Sequence, residues 1–545
     1  MIPAPAAVRP EGVADDSLGR PLARAAAVTA LLTGAGALCG LLRDQTVAHL
    51  FGAGRDTDAF LVAWTVPETA ATLLIEDGMA LLLVPAFSRA LAARAAAGGG
   101  APGTPAGGAD PVRALLAATF PRLCAALGGG SALLVLGAPL LVRLLAPGLD
   151  DPAPAVACTR MTALTVLTFG LAGYLSAALR AHRSFVAPAA IYVAYNLGIV
   201  GTVLALHSAW GIRAAAAGVA VGGALMVLVQ LPSFARRLGG RATTSARRAE
   251  PPTAVGGPGL GLLAPVVCFA VGRQAQVYVE RFLASSLPAG AISHLNYAQK
   301  VAQLPMALSL MVCTVTFPVV ARAVVDGAAV RAGRRVARDL TLAGLVVLVG
   351  AAYVIGCAPQ IVEVLFQRGA FTAADTAATA TVMRVYALGL LGHSLVGALI
   401  RPYFAGARPT WYPVAAMAAG LLVTVVAGRY AVGRWGVHGI AAANATGISV
   451  CALLLLYGLG RGPGTRAVAL DVRRTVAGLG RLALAAVVAG AVGGPLAALS
   501  GSGLLGAAVG ALLVPAVFAG AALALRAPEV RPLLVAVKGK LAHAR

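Results

Sequence analysis

Ionisable side chains interrupt an apolar stretch near the start of the chain. The stretch covers residues 43–76 and follows an apolar run, 22–42, that is long enough to cross a bilayer. Its charged residues include Arg43, Asp44, Asp58, Glu68 and Glu76. Ionised groups within a membrane are costly unless they are paired or face water. We therefore expect several of them to bind a ligand or couple to an ion, although Arg43 and Asp44 alone could simply end a helix at the interface.

The middle of this stretch predicts a turn followed by a second helix. Gly52 and Gly54, in the motif FGAG, bracket the predicted turn. Glycine suits the left-handed backbone of tight turns. Asp58 then precedes a new apolar run, which is the position of a helix N-cap. The first two apolar runs are therefore predicted to be joined by a short turn.

A polar stripe occurs in an apolar run of the second half of the chain. Asn296, Gln299, Lys300 and Gln303 follow the spacing i, i+3, i+4, i+7, which places them on one face of a helix. A polar face on a membrane helix is expected to contact protein or water rather than lipid. Lys300 is the basic member of this stripe and a candidate substrate-binding residue.

Glu280 and Arg281 are a further pair of charged residues inside an apolar run. As sequence neighbours they point about 100° apart on a helix, so they need not pair with each other. We take Arg281 as a candidate substrate-binding residue and Glu280 as a candidate gating or ion-coupling residue. The alternative interpretation of Arg281 is an interfacial side chain that extends its guanidinium toward the headgroups.

The composition is that of a polytopic membrane protein. Of 545 residues, 59% are hydrophobic and only 12% are charged, and the mean hydropathy is +0.84. A soluble domain carries about twice that share of charged residues. We predict an all-α fold with about fourteen transmembrane helices, from apolar runs of about twenty residues. The runs lie near residues 22–42, 59–83, 114–142, 157–180, 185–207, 213–233, 259–285, 290–320, 340–366, 376–400, 410–430, 436–458, 474–497 and 502–526.

Membrane topology explains the net charge of +23. Roughly 30 of the 43 Lys and Arg residues lie in the tails and in alternate loops, which is the positive-inside pattern. Both termini are therefore predicted to be cytoplasmic, and nucleic acid is not expected as a partner. The seven cysteines are scattered singly through apolar runs, so neither a metal site nor redox chemistry is predicted.

Three landmarks recur in the two halves of the chain at a constant offset. LVRLLAPG, LSAALR and a following proline correspond to VEVLFQRG, LVGALIR and a following proline, as in Gly148 and Gly369, which are 221 residues apart. We predict two pseudo-symmetric six-helix lobes around a midplane site, which is a transporter architecture. The predicted boundaries are a disordered cytoplasmic tail at 1–20, an N-lobe at 21–235, a basic cytoplasmic linker at 236–258, a C-lobe at 259–460, helices thirteen and fourteen at 461–526 and a cytoplasmic tail at 527–545.

Several motifs together resemble a known transporter family. RD-x6-FGAG-x3-DAF-x2-A-x3-P, YA-x-K-x4-P and FQRGAFTAADT are similar to the MurJ (MviN-type) lipid II flippases of the MOP exporter superfamily, and the similarity covers about residues 25–460. The resemblance implies two lobes in a V around a central cationic cavity, with the last two helices forming a groove for the lipid tail. It also implies that the chain moves an undecaprenyl-pyrophosphate-linked peptidoglycan precursor across the bacterial cytoplasmic membrane.

The resemblance also implies roles for individual residues. Arg43, Asp58 and Glu76 align with cavity residues of the family, and Lys300 stands where the family usually has an essential arginine. With Asp44, the carboxylates are candidate ion or proton sites, or gates between the lobes. No Walker A motif is present in the sequence, so ATP is not expected to drive transport. No cofactor is predicted, and the protein is expected to be monomeric.

Two positions depart from the family pattern and leave three hypotheses open. Ala37 and Ala71 stand where relatives carry cavity arginines. We favour a lipid II flippase. The two alanines favour instead a flippase of another polyprenyl-linked glycan or a MATE-like exporter. An integral membrane enzyme such as a polyprenyl glycosyltransferase is disfavoured, because the largest predicted loop is the Arg/Gly/Pro-rich linker and offers few acidic or histidine side chains.

Cysteine labelling tests the predicted topology. We expect a cysteine introduced at Arg247, in a variant without the native cysteines, to resist a membrane-impermeant maleimide added to intact cells, because the basic linker is predicted to be cytoplasmic. A cysteine at Gly54, in a turn predicted to lie outside, is the labelled control. Ready labelling at position 247 would invert the topology.

Overall fold

The computed structural model describes residues 16–98, 110–239, 260–404, 410–460 and 468–526, and these ranges are helical almost throughout. A π-helical segment, Thr72–Asp77, joins the second helix to the third. The helices of the first half are α1 (Asp16–Phe51), α2 (Arg55–Ala71), α3 (Gly78–Gly98), α4 (Pro111–Leu136), α5 (Ala138–Leu145), α6 (Ala153–Ala163), α7 (Thr165–Ala181), α8 (Val186–Trp210), α9 (Arg213–Leu228) and α10 (Leu231–Gly239).

The helices of the second half form a second lobe and two further helices. We refer to α1–α10 as the N-lobe and to α11–α18 as the C-lobe. The helices are α11 (Leu260–Ala284), α12 (Ala291–Ala302), α13 (Leu304–Val325), α14 (Ala329–Gly356), α15 (Ala358–Phe366), α16 (Ala373–Ala387), α17 (Leu390–Phe404), α18 (Tyr412–Gly460), α19 (Val472–Ala498) and α20 (Gly503–Ala524).

The predicted class, an all-α polytopic membrane protein, is confirmed. Within the described residues, ten helices are long and apolar enough to cross a membrane, or eleven if the bent pair α16 and α17 forms one span. One of the ten, α18, merges two helices across a kink at Gly436 and therefore occupies two of the predicted apolar runs. Helices α11, α12 and α13 occupy two further runs.

Two helix boundaries differ from the prediction. Helix α1 begins at Asp16, inside the predicted disordered tail, and α3 extends to Gly98, beyond the apolar run that ends at residue 83. The flanking segments are rich in Ala, Leu and Arg, which have high helix propensity and extend a helix beyond its apolar part. The rest of the predicted N-terminal tail (1–15), most of the linker (240–259) and the C-terminal tail (527–545) lie outside the described residues.

The predicted internal repeat agrees with the order of helices in the two halves. A short helix with proline in its first turn, α5 or α15, follows the third span of each lobe. The turn before the sixth span has a glycine with the same backbone, Gly211 at φ 54 and ψ −139 and Gly436 at φ 53 and ψ −129. The positive φ favours glycine at this turn. The lobe boundaries themselves stay a prediction.

Helices α19 and α20 pack against α14 and α15 of the C-lobe. Small residues form the closest approach, since a Cβ added to Gly494 would lie 2.7 Å from the Cα of Gly356. The Tyr353 hydroxyl also donates to the Ala507 carbonyl at 2.9 Å. Close backbone packing through small residues is a common way for membrane helices to associate, and it attaches the last two helices to the C-lobe.

Candidate functional site

Asp58 joins the two lobes at one end of the molecule, which we call the closed end. Its carboxylate accepts hydrogen bonds from the Gly290 N–H at 2.7 Å, the Ser293 N–H at 2.7 Å and the Ser293 hydroxyl at 2.6 Å. Gly290 is the N-cap of α12 and supplies no side-chain cap of its own. A carboxylate of α2 therefore caps α12 across the lobe boundary, where the free N–H groups and the helix dipole favour negative charge.

Asp58 does not cap its own helix, so that prediction was wrong. Helix α2 begins at Arg55 with Gly54 as its N-cap, and this places Asp58 within the first turn. The carboxylate is buried with only 4% of its surface exposed, and a buried carboxylate needs several donors. It finds them in the N-terminus of α12, which local sequence rules cannot identify.

Two further contacts bring the lobes together at the closed end. The Ala370 N–H donates to the His49 carbonyl at 2.8 Å, and the Gly148 N–H donates to the Ser285 hydroxyl at 3.2 Å. Gly369 has φ +62, and a Cβ there would lie 2.3 Å from the His49 carbonyl oxygen. The lobes therefore meet backbone to backbone at this end.

Lys300 bridges the lobes farther along the same helices. Its ammonium nitrogen lies 3.9 Å from Asp44 Oδ1 and 3.9 Å from Glu68 Oε1. It also lies 4.4 Å from the centroid of the Trp64 ring, a cation–π contact. Ser293 and Lys300 are seven residues apart on α12, or about 10 Å along the helix axis. The Asp58 contact and the Lys300 contact are therefore two points along one helix pair, α2 and α12.

Arg43 lies on the other side of this ion-pair cluster and is buried. Its guanidinium donates to Asp44 Oδ1 at 2.9 and 3.1 Å and to Asn196 Oδ1 at 2.9 Å. Its Cζ lies 4.2 Å from the Trp64 ring centroid, so the indole contacts a cation from each lobe. Arg43 is not among the residues that line the cavity described below. Its hydrogen bonds instead orient the Asp44 carboxylate toward Lys300.

A cavity of about 360 Å³ lies beside Lys300 at the lobe boundary. Its N-lobe side comes from α2, and its C-lobe side comes mainly from α11, α12, α13 and α17. Lys300 and Arg273 are the cations of the described lining, and Glu68 is its carboxylate. The polar side chains of the lining are Thr65, Glu68, Thr69, Thr72, Arg273, Gln274, Gln276, Gln299, Lys300, Gln303 and His393.

Hydrogen bonds cross the lobe boundary within this cavity. The Gln274 amide donates to the Thr72 hydroxyl at 3.0 Å, and the Tyr278 hydroxyl donates to the Thr69 hydroxyl at 2.9 Å. The π-helical segment begins at Thr72, and such segments are frequent at functional sites. Neutral hydroxyl and amide contacts are individually weak, so these two hydrogen bonds cost less to break than the hydrogen bonds of Asp58.

The polar stripe of α12 faces protein and the cavity, as predicted. Gln299, Lys300 and Gln303 line the cavity, and the Asn296 side chain accepts from Arg281 at 2.8 Å. Arg281 also donates to the Ile292 carbonyl at 3.2 Å and is 2% exposed. Its guanidinium is therefore used inside the C-lobe, and its position does not support direct contact with a substrate or with lipid headgroups.

Glu280 is buried in the C-lobe, 1% exposed, and does not pair with its neighbour. Its Oε1 accepts from the Asn444 amide, while Oε2 has no partner among the described residues. Asn444 in turn contacts His393 Nε2 at 3.0 Å, and His393 lines the cavity. Two polar side chains, His393 and Asn444, thus link the cavity to the buried Glu280 carboxyl group, which keeps Glu280 a candidate for ion or proton coupling.

Glu76, Ala37 and Ala71 lie at different places relative to the cavity. The backbone of Glu76 belongs to the π-helical segment, but its side chain lies outside the described part of the structure. Ala37 is exposed on α1, away from the cavity lining. Ala71 is half-buried and precedes Thr72, a cavity residue, so an arginine at position 71 would be close to the cavity.

The sequence analysis did not identify Arg273, His393 or Trp64 as candidate site residues. The signal for Arg273 and His393 was available, because ionisable groups in apolar runs are functional candidates by default. Nothing in the local sequence distinguishes Trp64 from an ordinary core aromatic. Its importance comes from contact with Arg43 and Lys300, which lie far apart in the chain.

This arrangement suits reversible binding of an anion. The C-lobe supplies Lys300 and the N-lobe supplies the two carboxylates that pair with it, so an incoming anion would compete with Asp44 and Glu68 for Lys300. In the described part of the chain, no group of three or more His, Cys, Asp or Glu side chains could hold a metal ion.

The comparisons with known proteins agree on one family. The family described as lipid II flippase MurJ matches residues 47–504. The lipid II flippase MurJ of Burkholderia cenocepacia is 28% identical over 431 residues, which is 77% of this chain and 80% of that protein. The probable lipid II flippase MurJ of Vibrio cholerae is 24% identical over 506 residues, or 87% of this chain and 89% of that protein.

Solved structures share the fold. A lipid II flippase MurJ in an inward closed conformation has a TM-score of 0.69 at 19% identity, covering 93% of this chain and 99% of that chain. An inward-facing MATE multidrug transporter of the MOP superfamily has a TM-score of 0.60 at 13% identity, covering 82% and 95%. Because the family match covers most of the sequence, this chain belongs to the lipid II flippase MurJ family.

Proposed function

We propose that this chain is a flippase that moves lipid II, an undecaprenyl-pyrophosphate-linked disaccharide-peptide, across the bacterial cytoplasmic membrane for cell wall synthesis. The observation that carries the proposal is the cavity at the lobe boundary, in which Lys300 from one lobe is held by two carboxylates of the other. Family membership supports it. The protein acts as a monomeric transporter, not as an enzyme, with both termini in the cytoplasm.

The headgroup of lipid II needs a polar route through the hydrocarbon core. A pyrophosphate attracts ammonium and guanidinium groups strongly in a partly desolvated site. In the proposed cycle it displaces Asp44 and Glu68 from Lys300 and also engages Arg273, while the polyprenyl tail stays in lipid. Arg43 keeps Asp44 oriented and so acts on the substrate indirectly.

In an alternating-access cycle, the closed end would be the gate on the outer side of the membrane. The contacts of Asp58, His49 and Gly148 close the lobes at the end that the arginine distribution assigns to the outside. The cavity lies about 10 to 20 Å along α2 from Asp58, on the side that the arginine distribution assigns to the cytoplasm. Rocking of one lobe against the other would break the Asp58 contacts and open the outer end.

A second candidate substrate is another polyprenyl-linked glycan, or a drug of the kind that MATE exporters move. The observation that favours it is the small number of cations: Lys300 and Arg273 are the basic residues of the described cavity lining, and Ala71, next to the cavity residue Thr72, stands where the family pattern has an arginine. A less cationic cavity would suit a substrate with less charge than a pyrophosphate.

Complementation of a strain depleted of its lipid II flippase tests the proposed function through Lys300. We expect Lys300→Met to abolish growth rescue, because losing a desolvated charge contact costs on the order of 2–5 kcal/mol. Lys300→Arg should rescue, since guanidinium binds phosphate bidentately. Arg143→Met removes a charge from an exposed site outside the cavity and is the matched control. Full rescue by Lys300→Met at normal membrane expression would contradict the assigned role.

The Asp58 contact can be tested by measuring the distance between the lobes. We expect Asp58→Asn to lengthen the distance between spin labels at Arg55 and Ala289, measured by pulsed EPR, because hydrogen bonds to a charged acceptor contribute about 1.5–3 kcal/mol each. Asp56→Asn is the matched control, since Asp56 is exposed in the same first turn. An unchanged distance distribution in Asp58→Asn would mean that this carboxylate does not hold the closed end.

Ala71→Arg separates the two candidate substrates. If the chain moves lipid II, an added guanidinium beside Thr72 should maintain or improve growth rescue, because it restores a phosphate-binding group of the relatives. If the natural substrate is less charged, the same change should impair function by placing an extra cation at an adapted cavity. Ala71→Gln, similar in length but uncharged, is the control for steric effects.

A further inference from the structure

A second concave site lies far from the lobe boundary, between α14 and α19. It is a groove of about 690 Å³, and we call it the α14–α19 groove. Arg334 and Arg338 of α14 and Arg474 of α19 line it. Helix α14 starts at this groove and runs toward the closed end, so the groove is at the opposite end of the molecule. None of its lining residues also lines the central cavity.

The backbone builds the shape of this groove. The Ala469 N–H donates to the Ala329 carbonyl at 3.0 Å, which ties the segment before α19 to the first turn of α14. Gly333 allows the close approach, because a Cβ at that position would lie 1.9 Å from the Ala469 carbonyl oxygen. The groove is therefore a fixed feature of the packing of α14 against α19 and not a gap between long surface side chains.

The three arginines of the groove are available to a ligand. Among the described residues, none of their guanidinium groups makes an ion pair or a side-chain hydrogen bond. By contrast, the adjacent Arg335 points elsewhere, with Nε 3.4 Å from Asp339 Oδ1. Asp471 also lines the groove, but its Oδ1 accepts from the Arg474 backbone N–H and caps α19. The groove therefore carries a net charge of about +2, counted from three arginines and one aspartate.

The lining becomes apolar in the direction of the membrane core. Leu342 follows Arg338 by one helical turn in the lining, and α14 continues from there as the apolar segment LVVLVGAAYVIG. A ligand that fits has a negative head near the guanidinium groups and an apolar part along α14. A free inorganic phosphate would leave the apolar part of the groove unfilled.

We propose that the α14–α19 groove binds the phosphodiester headgroup of an anionic membrane phospholipid in the cytoplasmic leaflet, with an acyl chain along α14. Basic pockets between membrane helices on the cytoplasmic side are suited to anionic lipid headgroups, and guanidinium can contact two phosphate oxygens at once. The site does not depend on the identity of the transported substrate. A bound lipid would bridge α14 and α19 and so stabilise the attachment of the last two helices to the C-lobe.

Native mass spectrometry of the full-length protein, stripped of lipid in detergent, tests the site. The purified protein is titrated with dioleoylphosphatidylglycerol and, in parallel, with zwitterionic dioleoylphosphatidylcholine. We expect tighter binding of the anionic lipid, and Arg338→Gln/Arg474→Gln should weaken it by at least about tenfold. Arg331→Gln/Arg473→Gln removes one exposed arginine from each of the same helices, outside the groove, and should change the affinity less than twofold.

A second variant tests the groove without changing its charge. Ala337→Trp should fill the groove and reduce binding of phosphatidylglycerol to a similar extent, with monodispersity and helical circular dichroism as folding checks. Normal binding by Ala337→Trp would overturn the proposal, as would equal losses in the two arginine pairs, which would indicate diffuse surface attraction. Displacement of the lipid by millimolar inorganic phosphate would instead assign the site to a soluble anion and would also overturn it.

Discussion

The Asp58 carboxylate of α2 accepts its hydrogen bonds from the first turn of α12, on the other side of the lobe boundary. A buried charge of this kind is stable only while all of its donors are in place. Helix α12 depends on the contact as well, because Gly290 offers no side-chain cap. Each lobe therefore supplies hydrogen-bond partners that the other needs, and separation of the lobes needs a replacement for both sets, which bulk water can supply once this end opens.

The Asp58 contact and the proposed anion site are connected through the same two helices. Asp58, Trp64 and Glu68 follow one another on α2, while Ser293 and Lys300 follow one another on α12. A motion that withdraws Ser293 from Asp58 also changes the distance between Lys300 and Glu68, because a helix moves as a rigid element over so short a length. A ligand that removes Lys300 from its carboxylates would thus weaken the resting arrangement of the lobes, which gives binding and opening a shared mechanical basis.

Much of the fold could be predicted from the sequence because a bilayer imposes strong rules on hydropathy and loop charge. The polar stripe of α12 was also predictable, since the 3.6-residue period alone places Lys300 beside Gln299 and Gln303. The Asp58 contact was not, because the N-cap rule is local and the donors come from residues 232 and more positions away. The burial of Arg43 behind Trp64 and of Arg281 within the C-lobe was equally inaccessible, because hydropathy cannot distinguish a cation that faces water from one paired inside protein.

The carboxylates beside Lys300 also bear on why this cavity can function with few arginines. A transporter has to release its substrate. The net affinity is therefore the difference between the free energy with which the substrate binds Lys300 and the free energy with which the displaced groups bind it. In the proposed cycle, Asp44 and Glu68 would lower the net affinity of Lys300 for phosphate, and they would also recapture the ammonium once the substrate leaves. A lysine suits this exchange because its compact ammonium can change partners without the fixed geometry of a guanidinium fork. The Trp64 ring contacts both Lys300 and Arg43 and would keep the lysine at the lobe boundary during that change. Fewer arginines in the cavity are therefore compatible with transport of a pyrophosphate when the counter-charges are placed to return the lysine to its resting position.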